Sequence, residues 1–222
     1  MFRKELLILG GVALLVFLIV AGTASLAVRA VQRDGAMLAK DTLPGLVTAS
    51  EAINRMDENW FGLHLLLTAD SPESRENLIE KVTRNSTGPV WRLYQEAIFD
   101  QEDARLFQQV NASRARFLEA RGRFFDLVRA GDSRGAKELF EGELGQAFEE
   151  YRGAAKEILK LNANVGHERA DRMIQVSSWV PFALGAFCVM VFLIGVFVGF
   201  KASLGAFTGA WKETASPKHE GN

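Results

Sequence analysis

The order of polar and apolar positions divides the chain into three parts. Two stretches carry no charge: Leu6 to Val28, 23 residues, and Trp179 to Phe200, 22 residues. As helices they reach about 33–35 Å at about 1.5 Å per residue, enough to cross a hydrocarbon core of about 30 Å. The stretch between them repeats with a helical period. Leu46, Ile53, Trp60 and Leu67 recur every seven residues, and Ala49, Met56 and Leu63 follow three places later. This predicts a first apolar seam, with Asp57, Glu58 and Asn59 on the other side of the helix. Ile79, Val82, Ser86, Val90, Leu93 and Ala97 form a second seam. Leu106, Val110, Ser113, Phe117, Ala120, Phe124 and Leu127 form a third. Phe140, Leu144, Ala147, Tyr151, Ala154, Ile158, Leu161 and Val165 form a fourth.

Local signals place the ends of these helices. Pro44 marks a bend near the start of the first, which spans about 31–69. Ser71 is an N-cap, Pro72 suits the first helical position, and Glu73 complements the dipole. Gly88-Pro89 interrupts the second helix with a kink or short break. Asp100 caps the third, with Glu102 and Asp103 in its first turn. Gly131 ends it, and Asp132 or Ser133 caps the fourth, expected to run unbroken from Ser133 into the second apolar run. Four amphipathic helices joined by short turns predict an all-α fold. The expected architecture is an antiparallel up-down-up-down four-helix bundle flanked by two transmembrane helices.

The first apolar run exceeds the roughly 7–15 residues of a signal-peptide core, although Ser25-Leu26-Ala27 resembles a cleavage site. It therefore reads as an uncleaved span. Arg3 and Lys4 before it, and Lys201, Lys212 and Lys218 after the second run, place both termini in the cytoplasm. The expected organisation is a cytoplasmic start at 1–5, a span at 6–28, an extracytoplasmic bundle at 29–175, a second span at 176–200 and a short cytoplasmic tail at 201–222. Trp179 and Trp211 are the expected membrane-interface residues, Trp211 with Leu204 and Phe207 on a short helix at the inner leaflet. Residues 215–222 read as disordered, and a modest kink is expected at Pro181.

Composition narrows the function. A chain of 222 residues that is 48% hydrophobic and 24% charged fits one aqueous domain with membrane segments. A net charge of -1 gives no basic surface for nucleic acid. The single cysteine, Cys188, excludes an intrachain disulfide and a cysteine-based zinc set. No catalytic triad, phosphate loop or dinucleotide fingerprint occurs, so the chain is expected to be no enzyme and to need no cofactor or metal.

The ligand-binding candidates are Arg55 and His64. Arg55 is the only arginine in the middle of the first helix, where Glu51 or Asp57 and Glu58 also offer partners. His64 follows the seam residue Leu63, and His167 is too far along the fourth helix to share a metal with it. Arg114 and Arg121 flank the third seam seven residues apart, with surface pairing to Glu119 as the simplest reading. The polar stretch 162–172, with His167, Glu168, Arg169, Asp171 and Arg172, is expected just outside the membrane. Gly195 and Gly199 form a small-xxx-small pair suited to a dimer contact in the second span. Asn85-Ser86-Thr87 matches a glycosylation acceptor by coincidence.

Two stretches carry a family resemblance. Leu43-Pro44-Gly45 through Leu67-Thr68-Ala69-Asp70, and Ala130-Gly131-Asp132-Ser133 through Leu161-Asn162, resemble the periplasmic four-helix-bundle domain of methyl-accepting chemotaxis receptors. The order of span, four helices and span covers about residues 1–200. The resemblance implies a sensing role and, with the two spans, a two-pass protein of the bacterial inner membrane; a homodimer is expected through Gly195 and Gly199. Such receptors continue into a long cytoplasmic coiled coil, whereas 22 residues follow Phe200 here. The expected output partner is therefore a chemoreceptor or another signalling protein. A structural or assembly protein, or a receptor fragment without signalling, is the alternative.

Overall fold

The structure, a computed structural model, describes residues 2–214, and the side chains of residues 10–12 and 14–201. Residues 215–222, read from sequence as disordered, lie outside the described residues, as does Lys218. So do the side chains of Arg3, Lys4, Leu204, Phe207, Trp211 and Lys212. Among the described residues every regular element is helical: α1 (Phe2–Met37), a wide π turn (Leu38–Thr42), α2 (Leu43–Leu66), α3 (Pro72–Arg84), α4 (Gly88–Glu96), α5 (Gln101–Ala130), α6 (Ser133–Leu139), a second π turn (Phe140–Leu144) and α7 (Gly145–Thr214). The described residues divide into two compact units, one of residues 34–171 and one of residues 2–33 with 172–214.

The first unit is the four-helix bundle. Its arms are α2 with the turn before it, α3 with α4, α5, and α6 with the first part of α7. The joints follow from local chemistry. Ser71 Oγ accepts the Ser74 N–H at 3.1 Å, with Pro72 in the first helical turn. Asp100 Oδ1 accepts the Asp103 N–H at 2.8 Å. Gly131 closes α5 at φ 75°, a conformation that suits glycine, and the Asp132 N–H reaches back to Leu127 O at 3.0 Å. Asp132 Oδ1 then accepts the Gly135 N–H at 2.9 Å to open α6.

Three expectations need correction. In the first arm the buried line is Gly45, Ala49, Ala52, Met56, Asn59, Leu63 and Leu66. Leu46, Ile53, Trp60 and Leu67 flank this line rather than forming its centre, a rotation of one residue. Small residues let the helix lie close to its neighbours, and Asn59 is tolerated inside because its amide donates to Asn85 O at 2.9 Å. In the second arm Leu93 is exposed while Trp91 and Tyr94 are buried. The break at 85–87 ends one helix and starts another, so apolar spacing does not carry across it. Finally, the fourth arm is not continuous from Ser133. The π turn at Phe140–Leu144 interrupts it, with Gly142 in a non-helical conformation.

The core between the arms is rich in aromatic rings. Trp60 lies between Phe140 and Phe148, with ring centroids at 4.4 and 4.3 Å and planes within 14° and 10°. Phe124 meets Phe140 at 5.8 Å, and Phe117 meets Tyr151 at 5.9 Å. Such contacts add directional preference to the area-proportional gain from burial. Polar residues fill the part of the bundle nearer Thr42 and Arg169.

The second unit holds the two apolar runs, each in a helix long and apolar enough to cross a membrane. Leu14, Leu18, Phe182, Phe192 and Phe197 point outward. Phe17 meets Phe187 at 5.7 Å. A groove of about 310 Å³ lies within this unit, lined by residues including Val20, Ala24, Ala27, Trp179 and Ala183.

Candidate functional site

All four arms converge on the break between α3 and α4. From the first arm, the Arg55 guanidinium donates to Ser86 O at 3.3 Å, and Asn59 donates to Asn85 O. The Asn85 amide in turn donates to Glu58 Oε2 at 2.9 Å. From the fourth arm, the Tyr151 oxygen accepts the Trp91 indole N–H at 2.5 Å and hydrogen-bonds the Thr87 hydroxyl at 2.9 Å. An indole can only donate, so the Tyr151 oxygen is the acceptor from Trp91, while either hydroxyl can donate between Tyr151 and Thr87. From the third arm, Arg114 comes so close to Gly88 that a β-carbon there would lie 2.9 Å from Nη2.

A second polar cluster lies inside the bundle at α4, α5 and α7. Tyr94 donates its hydroxyl to Asp103 Oδ1 and accepts from Asn162 Nδ2 at 2.8 Å. Asp103 Oδ2 also accepts the Phe99 N–H at 3.4 Å, and Asn162 donates to Ile158 O at 3.1 Å. Tyr94, Asp103 and Asn162 are fully buried. Burial pushes the Asp103 carboxyl above its ordinary value, against the opposing hydrogen bonds from Tyr94 and Phe99. Burial and the neighbouring carboxylate lift Tyr94 well above its own. Close by, Arg169 donates to Thr42 Oγ1 at 2.5 Å and lies 5.3 Å over the Phe99 ring. The stretch 162–172 is thus not uniformly an outer polar surface: Asn162 and Arg169 are buried.

The sequence-predicted residues do not gather in one place. Arg55 pairs with Glu51 at 2.7 Å while touching the break. His64 is exposed and tilts against Phe140 at 5.7 Å. His167 pairs with Asp171 at 3.3 Å. Among the described residues no group of three or more His, Cys, Asp or Glu is placed to hold a metal ion. Gly195 and Gly199 lie on an open face of α7, with nothing within 4 Å of an added β-carbon. Trp179 is 69% exposed and lines the groove of the second unit. Trp211 lies in α7, its side chain outside those described.

Arg114 and Arg121 do not pair with Glu119. Six arginines lie on α5. Arg105, Arg116, Arg123 and Arg129 each meet a glutamate within 4 Å, namely Glu102, Glu150, Glu143 and Glu76. Among the described residues Arg114 and Arg121 have no such partner, and the Nε atom of each is buried without a hydrogen bond. Burial, and then Arg114, pull the Arg121 guanidinium below its ordinary range. The seven-residue spacing signalled the pair, but not which glutamates the other arginines of α5 would take.

No curated protein matches the chain. A family model described as a four-helix-bundle sensory module for signal transduction matches residues 3–176, from the first apolar run to the end of the bundle. The capped turns, the four arms and this match together place the chain in the family of four-helix-bundle sensory modules of chemotaxis receptors.

Proposed function

We propose that the chain is a membrane-anchored extracytoplasmic sensor of chemoreceptor type, which passes a ligand- or partner-induced helix shift to a separate signalling protein. The observation that carries this reading is the sensory-module match over 3–176, which takes in the first apolar run together with the bundle. The two helices long and apolar enough to cross a membrane support a two-pass anchor, with both termini on the cytoplasmic side. On this reading the protein is a homodimer of the bacterial inner membrane. It binds and transmits, and catalyses nothing. Gly195 and Gly199 bring the second spans of two copies together, and Trp179 and Trp211 sit at the membrane interfaces.

A ligand shifts the arms only as far as it prefers one arrangement over another, about 1.4 kcal/mol for each tenfold preference. The junction 85–87 suits such a shift because the first and fourth arms reach the second there through hydrogen bonds with fixed directions, and Arg114 of the third lies against Gly88. The test is a pull-down of the full chain in mild detergent, with mass spectrometry of the eluate. A chemoreceptor, sensor kinase or other signalling protein is the expected companion. A fixed non-signalling partner, unchanged by added metabolites, would replace this reading with a structural or assembly role.

A further inference from the structure

The two unpaired arginines of α5 present a specific electrostatic problem. Four arginines on the same helix find glutamates, so carboxylates are not scarce on this surface. Arg114, against Gly88 at the junction, and Arg121, near Tyr151, are instead half-buried, each with a buried Nε that lacks an acceptor among the described residues. Both act electrostatically on the Tyr151 hydroxyl between the third and fourth arms. Arg121 is held over Phe117 and Phe125, its guanidinium carbon 6.0 and 5.5 Å from the ring centroids. Arg114 lies against Gly88 in the first turn of α4. That is the positive end of a helix dipole, where an anion is favoured and a cation is not. Two guanidiniums and a helix start therefore place like charge together, with no carboxylate among the described residues within 4 Å of either arginine.

From this arrangement we propose that Arg114 and Arg121 form a binding site for a small oxyanion, a carboxylate or a phosphate, beside Tyr151 and the start of α4. Guanidinium groups recognise both kinds of anion through paired N–H donors. The anion supplies the missing counter-charge and accepts from the guanidinium N–H groups that remain accessible on the two half-buried side chains. Gly88 leaves room for the Arg114 guanidinium, and the two rings hold Arg121 in place before binding. The site lies within one bundle, on its second, third and fourth arms. The proposal names the ligand class of the sensor described above and rests on that reading for its signalling consequence alone.

The test uses the purified full chain in detergent, with succinate and inorganic phosphate as separate probes and sodium chloride at matched ionic strength as the control. Saturable binding by calorimetry and a rise in Tm with one or both anions are expected, and the two arms distinguish carboxylate from phosphate. Arg114→Gln and Arg121→Gln are each expected to weaken binding about tenfold or more. Arg121→Met adds a readout that a purely structural arginine would not give. It removes a half-buried, uncompensated charge, so the anion-free chain melts at a higher temperature while the anion response is lost. No saturable response to either probe, or an equal response in the Arg114→Gln/Arg121→Gln chain, overturns the site. So does a lower anion-free Tm for Arg121→Met. Because binding is read on the purified chain, these outcomes are independent of whether a signalling protein co-purifies.

Discussion

The two halves of the bundle use different means to hold the same four arms. Towards the turns at 67–71 and 131–132 the core is apolar and stacked: Trp60 between two phenylalanines, Phe124 beside them, and Leu63, Leu66 and Val128 packed around. Towards Thr42 and Arg169, Tyr94, Asp103 and Asn162 form a fully buried hydrogen-bonded chain. Apolar packing tolerates exchange among residues of similar volume, whereas a buried polar chain requires each donor to meet an acceptor. The stacked half is therefore expected to supply most of the stability through buried apolar area, and the polar half to fix how the arms are positioned.

The largest test of that division is Phe124→Ala. Its ring is fully buried, and truncation should cost about 3–5 kcal/mol, read from urea unfolding followed by circular dichroism. A loss below about 1 kcal/mol would mean the aromatic half is not the main source of stability. Next comes Gly45→Ala. An added methyl would collide with Asn162 Oδ1 while Asn162 is held by Tyr94 and Ile158, so the change should cost about 1–3 kcal/mol despite the better helix former. An unchanged midpoint would show that the polar chain yields easily.

Asp103 sharpens the comparison through pH. Its folded-state pKa is raised, so the folded state holds this proton more tightly than the unfolded chain. By linkage, its contribution falls as pH rises from the ordinary carboxylate value through the raised one, and is lowest above it. Asp103→Asn removes that titration. The stability of the native chain relative to Asp103→Asn should therefore increase on going from pH 7 towards pH 4, measured by unfolding both at each pH. A constant difference would remove Asp103 as a titrating member of the cluster. The smallest effect is expected at Gly153, an exposed helical position with nothing within 4 Å of an added β-carbon. Gly153→Ala should stabilise by about 0.5–1 kcal/mol, opposite in sign to Gly45→Ala. If both changes moved the melt in the same direction, the contrast between crowded and open glycines would fail.

What the amino-acid order disclosed follows from how local each signal is. Ser71, Asp100, Gly131 and Asp132 act within a few residues of themselves, so the joints were readable before any packing was known. The all-helical bundle was readable for the same reason. The phase of the first arm was not, because Gly45, Ala52 and Asn59 lie at its buried centre and none of them is a large apolar residue. The phase of the second arm was lost at the break, where Leu93 and Tyr94 exchange the roles their spacing predicted. The candidate site was hardest to read. Arg114 and Arg121 were visible as a pair, but their lack of counter-charge depends on Glu143, Glu150 and Glu76 reaching other arginines from other arms. Glu119 lies towards Arg123 instead.

The two π turns have a consequence for length variation. A π turn holds one residue more than the α turn it replaces. The turn at Leu38–Thr42 therefore stores a spare residue within a helix that is regular on either side, and the turn at Phe140–Leu144 stores one at a bend where Gly142 leaves the helical conformation. Single-residue deletions in the first and fourth arms are best absorbed at these two places, where the wide turn tightens to an ordinary one. A deletion elsewhere in α2 or in the bundle part of α7 would rotate every later side chain by about 100°. Related chains that differ by one residue in these arms are expected to carry the difference there.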